Sequence, residues 1–345
     1  MAGCTPPGAL EHRSASMPAP SLPSVSVVVP TYKRPEMLKR CLAALMDQTL
    51  PLDRYEIIVC DDEPGAAVRE MLEQLSAGEG GLAPELRYVP VTATQGPAGA
   101  RNAGWQAARA PIIAFTDDDT IPDRAWLEAG LAAMAPGVQA ATGRIVMPLP
   151  DKPSDYERDA GRLRQAEFAT ANCFVLREAL ERVGGFDERY TMAWREDSDL
   201  HFSLIEEGCR IEWAPQAVVV HPLRPAPFGA GLSMQRKVMF DVLLYRKHRA
   251  LYRERIRGGP PWFYLLVTAS LIAAVALPPA GRPVAGALAA ALWLALSLGF
   301  FFHRLRGTSA RPRNVGDLLL TSLFIPPLSI FWRLVGVFRF GWGMP

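Results

Sequence analysis

The sequence predicts an α/β fold with a mainly parallel sheet, followed by apolar helices towards the C-terminal end. Short apolar runs alternate with helical patterns over about the first 220 residues, and this alternation is typical of βαβ units. One apolar run ends in three consecutive carboxylates, those of Asp117, Asp118 and Asp119. The last quarter of the 345 residues is far more hydrophobic than the rest and contains two uncharged stretches of membrane-spanning length.

Composition argues against several broad classes of protein. The net charge of +2 gives no general reason to expect nucleic-acid binding. The five cysteines include no CxxC pair, so they suggest neither a zinc site nor a disulfide framework, and they fit a reducing compartment. Residues 1–23 are rich in Pro, Ala and Ser and lack an apolar core segment. This composition predicts a disordered tail and not a signal peptide.

Apolar patterning assigns the elements of the α/β domain, which is predicted over residues 24–223. The predicted strands are residues 25–29, 55–60, 86–89, 112–115, 138–146 and 172–176, with two short strands over 211–220. The predicted helices are residues 35–48, 66–75, 97–108, a stretch from 123 to 134, and one that follows the acidic segment 194–199 and reaches 207. The polar segment 148–164 is typical of a mobile loop. Because ligands of open α/β sheets collect at the carboxyl ends of strands, the acidic loops after residues 60 and 115 are expected to share one edge.

The C-terminal part of the sequence predicts a membrane anchor. Residues 224–259 are amphipathic and increasingly basic, as juxtamembrane segments are, and residues 260–345 form the predicted membrane region. Residues 261–279 and 284–302 have the length and composition of spanning helices, with a buried soluble hairpin as the alternative. Lys and Arg cluster before the first predicted span and after the second, which places the α/β domain of a multi-pass inner-membrane protein in the cytoplasm.

A third apolar segment, residues 315–340, is predicted to be re-entrant or interfacial. Pro326 and Pro327 would break a spanning helix near its middle and free backbone groups in hydrocarbon. In an interfacial position Arg333 would lie at the headgroups. Three neighbouring aromatic side chains would then lie partly in the acyl region, namely those of Phe331, Trp332 and Phe338.

The three carboxylates after residues 112–115 allow two interpretations. Carboxylates crowded at the end of a strand repel one another unless a cation lies between them. Oxygen-only ligands suit Mg²⁺ or Mn²⁺, which can also hold a diphosphate. The alternative is an Asp-rich turn followed by a helix that begins at Asp123. The stretch alone does not decide between the two.

Five short sequence motifs, one of which is this acidic stretch, follow one another along the chain. They are VSVVVPTY at 25–32, IIVCDD at 57–62, GPAGARNAG at 96–104, DDD at 117–119 and EDSDL at 196–200. Each is weak alone, but in this order and spacing they make the chain resemble the family 2 glycosyltransferases over about residues 23–222. The resemblance implies a GT-A fold, which is a Rossmann-like mixed sheet that binds a nucleotide-diphosphate sugar, together with a divalent metal.

The resemblance also implies roles for individual residues at the acidic edge. The residues implied to bind the donor nucleotide are Pro30, Tyr32, Arg34, Asp61, Asp62, Arg101, Asp117 and Asp118. Asp119 is the implied ligand of Mg²⁺ or Mn²⁺, and His221 is a further metal or diphosphate contact. Ordinary structural roles are the alternatives: an Asx turn for Asp61 and Asp62, helix packing with a solvated guanidinium for Arg101, and a structural histidine at 221.

The acidic pair Glu196–Asp197 precedes a predicted helix, where it could merely favour the helix dipole. In the family the aspartate of this pair is the general base. The resemblance therefore implies that Asp197 takes the proton of an acceptor hydroxyl while that oxygen attacks the anomeric carbon. Such a single displacement inverts the configuration. Trp194, Arg195 and Glu196 would flank the acceptor.

Two further observations narrow the expected function. Residues 231–245 lack the Gln-x-x-Arg-Trp motif of processive members, which predicts transfer of one sugar per encounter. A polyprenyl phosphate is already ionised and needs no base, so the acidic pair favours a hydroxyl acceptor, such as a lipid-linked saccharide in cell-surface polysaccharide or glycolipid synthesis. The alternatives are a polyprenyl-phosphate glycosyltransferase with the same donor site and a catalytically silent membrane scaffold. The retained, mutually repelling carboxylates argue against the scaffold.

Overall fold

An eight-stranded mixed sheet forms the centre of the α/β domain in the computed structural model, which describes residues 22–77 and 83–343. The strands are β1 (Val25–Thr31), β2 (Tyr55–Asp61), β3 (Glu85–Pro90), β4 (Ile112–Phe115), β5 (Ile121–Pro122), β6 (Ala140–Val146), β7 (Cys173–Leu176) and β8 (Ile211–Val220). Their order across the sheet is β3-β2-β1-β4-β7-β6-β8-β5. The predicted disordered tail lies outside the described residues, apart from Leu22 and Pro23.

The sheet is parallel in one half and mixed in the other. β1 pairs in parallel with β2 and β4, and β2 pairs in parallel with β3. β7 runs antiparallel to both β4 and β6, whereas β6 and β8 are parallel. The alternation of strands and helices therefore predicted the polarity of the first four strands, whose carboxyl ends meet at one edge.

The sequence predicted two short strands over residues 211–220, but β8 is one strand of 10 residues. Its pairing with β6 shifts between Gly143 and Arg144, and residues 215–217 are passed over in the register. Pro215 lies in this bulge and has no backbone N–H to donate. The strand then continues to Val220, which pairs with β5 and so brings the following residues to the acidic edge.

Helices cover both faces of the sheet. They are α1 (Pro35–Met46), α2 (Ala66–Ser76), α3 (Pro97–Ala107), α4 (Trp126–Ala133), α5 (Asp155–Ala160), α6 (Arg177–Val183), α7 (Glu196–Glu206), α8 (Ala230–Ser233), α9 (Met239–Lys247) and α10 (Arg249–Arg255). Alternate residues of β1 face opposite layers: Val27 packs with Leu42 of α1 in one cluster, and Val28 packs with Leu200 of α7 in the other. This two-sided burial explains the continuous apolar runs of the parallel strands.

The segment 148–164 is not the irregular loop that its polarity predicted, because it contains α5 followed by a 3₁₀ turn at Gly161–Gln165. Ser154 accepts a hydrogen bond from the Glu157 N–H, and the Glu157 side chain accepts one from the Ser154 N–H, which together form a capping box. Asp155 also pairs with Arg304 of the C-terminal helices at 2.6 Å. Local capping and this tertiary contact order the segment.

Three apolar helices form the C-terminal end of the described chain: α11 (Trp262–Ala276), α12 (Pro283–Leu305) and α13 (Pro312–Phe340). α12 and α13, with 23 and 29 residues, are long and apolar enough to cross a membrane, whereas α11 has only 15 residues. The second predicted span matches α12. The first corresponds to the shorter α11.

Two expectations about the third apolar segment are wrong. α13 is one continuous helix that contains Pro326 and Pro327, and Arg333 is buried inside the protein, 2.9 Å from Asp241 of α9, and not placed at headgroups. α13 packs against α9 and against the short helical segments before it, and Pro326 lies in its buried face. This packing offsets the backbone hydrogen bonds that the two prolines remove.

The crossing of α13 and α9 leaves no room for a side chain at Gly336. A Cβ placed there would lie 2.5 Å from the backbone oxygen of Met239. We expect Gly336→Ala to separate the helices and lower the melting temperature in detergent, because overpacking costs about 1–3 kcal/mol. Gly299 of α12 has nothing within 4 Å of its Cβ position. Gly299→Ala is therefore the control and should be neutral or slightly stabilising, since alanine favours helices. Equal melting temperatures for the two variants would contradict the tight crossing.

Candidate active site

A cavity of about 610 Å³ opens at the edge where β1, β2 and β4 end. Most of the residues expected to bind a donor line it, namely Pro30, Tyr32, Arg34, Asp62, Arg101, Asp117 and Asp118, and Asp119 lines it as well. Thr31, Gln95 and Arg224 also line the cavity and were not anticipated. The structure thus brings residues that are far apart in the sequence to one site.

The two aspartates at the end of β2 have different environments. Asp61 lies below the cavity surface, where it accepts hydrogen bonds from the Tyr88 hydroxyl at 3.1 Å and the Glu63 N–H at 3.2 Å. Asp62 lines the cavity, and its two carboxylate oxygens each lie 2.9 Å from the Gly96 nitrogen. Burial raises the pKa of Asp62, although the Gly96 N–H opposes this rise. Asp61 therefore stabilises the loop, as the turn alternative predicted, and Asp62 faces the cavity.

Arg101 joins two sides of the cavity. Its Nη2 lies 2.8 Å from Asp117 and its Nη1 lies 3.3 Å from Glu196, and only 4% of the residue is exposed. Burial alone would lower the pKa of Arg101, but these carboxylates raise it. The helix that carries Arg101 approaches closely because Gly96 precedes it with φ of 110°, and a Cβ there would lie 3.0 Å from the Thr191 oxygen. The arginine is therefore a fixed, buried cation and not a solvated one.

The three consecutive aspartates after β4 also differ in their contacts. Asp117 pairs with Arg101, while Asp118 accepts a hydrogen bond from the Thr31 hydroxyl at 2.8 Å and lies 3.3 Å from Arg34. Burial raises the pKa of Asp118 to about 6, against the effect of Arg34. Neither carboxylate oxygen of Asp119 has a hydrogen-bond partner among the described residues. The three adjacent acids thus have different contacts: Asp117 pairs with Arg101, Asp118 with Thr31 and Arg34, and Asp119 makes no hydrogen bond within the described part of the chain but lies beside Arg224 and His221.

The Asp119 carboxylate, which makes no hydrogen bond among the described residues, fits a metal ligand. Oxygen atoms of Asp117 and Asp119 and a ring nitrogen of His221 all lie within 4.8 Å of one another. Asp119 is 5% exposed, and a buried carboxylate without hydrogen bonds is costly unless a cation compensates it. Arg224, whose Nε lies 2.8 Å from Asp119, supplies one such cation, and a bound divalent ion would supply another. Two carboxylates suit Mn²⁺ or Mg²⁺, and an imidazole nitrogen beside them suits Mn²⁺ better than the harder Mg²⁺. The residues present therefore fit a divalent ion, and His221 lies close enough to Asp119 to be one of its ligands.

Arg224 is the main site residue that sequence reasoning missed. Its Nε lies 2.8 Å from Asp119 Oδ2, although without hydrogen-bond geometry, and it lines the cavity. It follows β8 by four residues, in a segment whose basic character was interpreted only as juxtamembrane. A cation close behind His221 was the available signal. Its position beside Asp119 depends on the pairing of β8 with β5, which the sequence does not reveal.

Glu196 and Asp197 begin helix α7 on the far side of Arg101. Burial, and then the neighbouring Asp197, raise the pKa of Glu196 to about 7. Burial also raises the pKa of Asp197, against the effect of Arg101. The only hydrogen bond of the Asp197 carboxylate among the described residues comes from the Ser198 N–H at 3.1 Å. Asp197 does not line the cavity directly, but it is half-buried next to Glu196 with a carboxylate that can accept a proton.

Trp194 and Arg195, expected to flank an acceptor, are both bound to one buried carboxylate. Trp194 Nε1 donates to Asp241 at 3.1 Å, and Arg195 Nε donates to the same residue at 2.7 Å. The Arg195 guanidinium lies 4.8 Å from the centroid of the Trp194 ring. Arg195 has φ of 76°, which is rare for a residue other than glycine. The polar ends of these two side chains are therefore directed towards α9.

Comparison with known proteins identifies the family of the chain. The sequence matches Glycosyl transferase family 2 over residues 26–185 and Glycosyl transferase family group 2 over residues 112–303. The second match covers more than half of the 345 residues. Together the two matches include the acidic loop after β4, the Arg101 helix and the Glu196–Asp197 pair.

Two relatives illustrate the similarity in sequence. The chain is 29% identical over 230 residues to glycosyltransferase AglE of Haloferax volcanii, covering 63% of this chain and 72% of that protein. It is 32% identical over 221 residues to the pre-mycofactocin glycosyltransferase of Mycobacterium tuberculosis, covering 59% of this chain but only 44% of that longer protein.

The mannosyltransferase PcManGT from Pyrobaculum calidifontis, solved in complex with GDP-Man and Mn²⁺, has a similar structure. It superposes with a TM-score of 0.56 at 21% identity, over 91% of this chain and 88% of that one. This likeness confirms the predicted GT-A fold. The two family matches show that the chain belongs to the family 2 glycosyltransferases.

Proposed function

We propose that this glycosyltransferase transfers a single sugar, with inversion, from a nucleotide-diphosphate sugar to a hydroxyl group of a lipid-linked saccharide. The observation that carries the proposal is the bridge made by Arg101, which contacts Asp117 on the donor side and Glu196 beside Asp197. One fixed cation thus couples the carboxylates expected at the donor to those expected at the acceptor. A scaffold would have no need for such a buried, charged connection.

The donor would bind along the cavity between Asp62 and the aspartates after β4. Asp62 can accept a base N–H or a ribose hydroxyl, and Arg34 and Arg224 present cations to the phosphates. Asp117, Asp119 and His221 would hold a divalent ion, Mg²⁺ or Mn²⁺, which would neutralise the charge of the departing nucleoside diphosphate. The structural neighbour holds GDP-Man and Mn²⁺, which supports this class of donor and ion.

The acceptor would approach from the α7 side of the cavity. Asp197 would accept the proton of the acceptor hydroxyl as its oxygen attacks the anomeric carbon from the face opposite the diphosphate. Its raised pKa suits this role, because a base is most effective when its pKa is near the working pH. Glu196 would hold Arg101 in place, and Trp194 and Arg195 would shape the acceptor side.

A polyprenyl phosphate is the second candidate acceptor, and one observation favours it. Lys237 follows α8, and its pKa is lowered by burial and by the charges of Arg224 and Arg34, against the effect of Glu196. Among the described residues no carboxylate pairs with Lys237 within 4.0 Å. Such a lysine could contact an acceptor phosphate. The acceptor assay below separates the two classes.

Incubation of the purified protein in detergent with a panel of nucleotide sugars tests the function. Lipid-linked saccharides and polyprenyl phosphates serve as the acceptors, and mass spectrometry detects the products. A mass increase of one sugar on a saccharide hydroxyl, with an inverted anomeric centre, is the expected result. Transfer to polyprenyl phosphate alone would select the second candidate. Failure with every donor would overturn the proposed activity.

We also propose that the protein lies on the inner membrane with its α/β domain in the cytoplasm. α12 and α13 support membrane association by their length and hydropathy. One face of α13 packs on the protein, with Gly336 against Met239 and Arg333 against Asp241. Its opposite face exposes a stripe of apolar side chains that includes Phe324, Phe331, Leu334 and Phe338. A helix with these two faces suits an interfacial position.

The interfacial position of α13 leads to a topological prediction. Because α13 packs along the cytoplasmic domain, we expect residues beyond Phe340 to stay on the cytoplasmic side. A C-terminal fusion to a reporter that is active only in the cytoplasm should therefore show activity. A reporter fusion active only on the outer side of the membrane would show that α13 crosses it.

A further inference from the structure

A single buried carboxylate connects the acceptor side of the site to the C-terminal helices. Asp241 of α9 is 4% exposed and accepts hydrogen bonds from Trp194 and Arg195 at one oxygen and from Arg333 at the other, the last at 2.9 Å. Burial alone would raise the pKa of Asp241, but the two guanidiniums hold it below its ordinary value. Asp241 is therefore ionised, and both of its carboxylate oxygens accept hydrogen bonds from these three donors.

The three donors come from two separate parts of the chain. Trp194 and Arg195 immediately precede the Glu196–Asp197 pair, whereas Arg333 lies on α13. Asp241 is the only carboxylate within 4.0 Å of either Arg195 or Arg333 among the described residues. Without it, two cations would remain buried without a partner, which is strongly unfavourable.

The backbone at Arg195 needs such an external restraint. Arg195 lies in the left-handed region with φ of 76° and is the residue before the first turn of α7. Strained backbone of this kind persists only where surrounding contacts impose it. The bond from its Nε to Asp241, at 2.7 Å, is a short, charge-assisted contact that can do so. The conformation that presents Asp197 thus depends on Asp241.

We propose that Asp241 is a positioning residue that ties the Trp194–Arg195 segment to Arg333 of α13 and thereby fixes Asp197 at the acceptor. The proposal rests on the function proposed above for Asp197. It assigns α13 a part in organising the acceptor side in addition to anchoring. Arg333 acts only through Asp241, since no other described carboxylate links it to the site.

A second connection between the same two parts of the molecule provides a matched control. Asp155 of α5 pairs with Arg304 of α12 at 2.6 Å and with Arg158 at 2.8 Å. This cluster also joins the α/β domain to the apolar helices, but it includes none of the residues at the site. Loss of Asp155 therefore tests whether weakening any contact between the α/β domain and the apolar helices is enough to disturb the acceptor side.

The experiment compares the full-length wild type with Asp241→Asn, Arg333→Met, Arg333→Lys and Asp155→Asn in detergent. Hydrogen exchange of residues 191–199 is followed together with acceptor kinetics and nucleotide-sugar binding. We expect Asp241→Asn and Arg333→Met to increase exchange in this segment and to lower kcat/KM for the acceptor by about 10²-fold, the usual cost of a misplaced catalytic group. Donor affinity should fall much less than kcat/KM for the acceptor, because Thr191, Ala193 and Glu196 of the same segment also border the donor side.

The remaining variants sharpen the test. Arg333→Lys retains a cation opposite Asp241 and should recover part of the loss, whereas Asp155→Asn should match the wild type in exchange and kinetics. Wild-type exchange and kinetics in Asp241→Asn, or equal losses in Asp155→Asn, would overturn the proposal. If Asp241→Asn does not fold, the two Arg333 variants decide. If the wild type transfers no sugar, the proposed function fails, and hydrogen exchange still shows whether Asp241 orders the segment.

Discussion

Asp119→Ala is expected to abolish sugar transfer and Mn²⁺ binding while the fold is retained. The Asp119 carboxylate makes no hydrogen bond among the described residues, so its removal leaves no backbone or side-chain donor unpaired except the half-exposed Arg224. It also relieves repulsion within the crowded acidic loop, so the melting temperature of the metal-free protein should stay equal or rise. Loss of even a supporting residue costs about 10–100-fold in metal affinity, and loss of a direct ligand should cost more. Calorimetric titration with Mn²⁺ and the transfer assay measure the two effects.

Asp123→Asn is the control for Asp119→Ala. Asp123 belongs to the same acidic stretch, but it is exposed, and among the described residues its side chain accepts a hydrogen bond only from the nearby Ala125 N–H. Asparagine can accept the same bond, so metal binding and transfer should be unchanged. A chelator should suppress transfer by the wild type, with recovery on addition of Mg²⁺ or Mn²⁺. Full activity of Asp119→Ala, or of the wild type in chelator, would refute a metal at this site.

The parts of the site that sequence predicted are those that depend on local pattern. The acidic loops follow short apolar strands, and parallel strands bring their carboxyl ends to one edge of the sheet. The sequence therefore predicted that Asp62 and Asp117 lie close together. Gly96, the first residue of the third motif, has φ of 110°, and a Cβ there would lie 3.0 Å from the Thr191 oxygen. Motif order and spacing were sufficient for these residues.

The residues that sequence did not predict depend on long-range pairing. Arg224 reaches Asp119 only because β8 pairs with β5, and Asp241 reaches Arg195 only because α9 packs beside α7. Asp61 and Asp62 are adjacent in the sequence, yet the Tyr88 hydroxyl binds one of them and the cavity receives the other. No periodicity in the sequence separates such neighbours, because strand pairing and helix packing decide the outcome.

Tertiary packing also overrode two local rules. Pro326 and Pro327 predicted a broken helix, but packing of α13 against the protein keeps it continuous. Arg333 was expected at the headgroups of an interfacial segment, yet it is buried, and a buried partner on α9 compensates its charge. Prolines inside a helix and a buried arginine are both costly, as the local rules state. Contacts with residues about 90 positions away in the sequence offset these costs.

Asp197→Asn is expected to lower turnover by about 10²–10⁴-fold, the usual effect of losing a general base. Asparagine retains the size of the side chain and can still accept the Ser198 N–H, so the start of α7 should be preserved. Donor affinity should change little, because Arg101 keeps both its Asp117 and Glu196 contacts. Burial raises the pKa of Asp197 and of Glu196, so the pair loses its charge at a higher pH than a free aspartate, whose pKa is about 3.9. The wild type should therefore lose activity as the pH falls through this raised range, and Asp197→Asn should lack that acidic limb.

Glu196→Gln separates the role of the base from that of its neighbour. This change removes the carboxylate that holds one side of Arg101, so it should weaken donor binding more than Asp197→Asn does while leaving more of the turnover. It also removes one of two like charges, which favours ionisation of Asp197 and shifts the acidic limb of the pH profile to lower pH. We expect Asp197→Asn to lose mainly turnover and Glu196→Gln to lose mainly donor affinity. This pair of results would identify Asp197 as the proton acceptor. Unaltered turnover in Asp197→Asn would exclude that role and favour a phosphate acceptor, which is already ionised and needs no base.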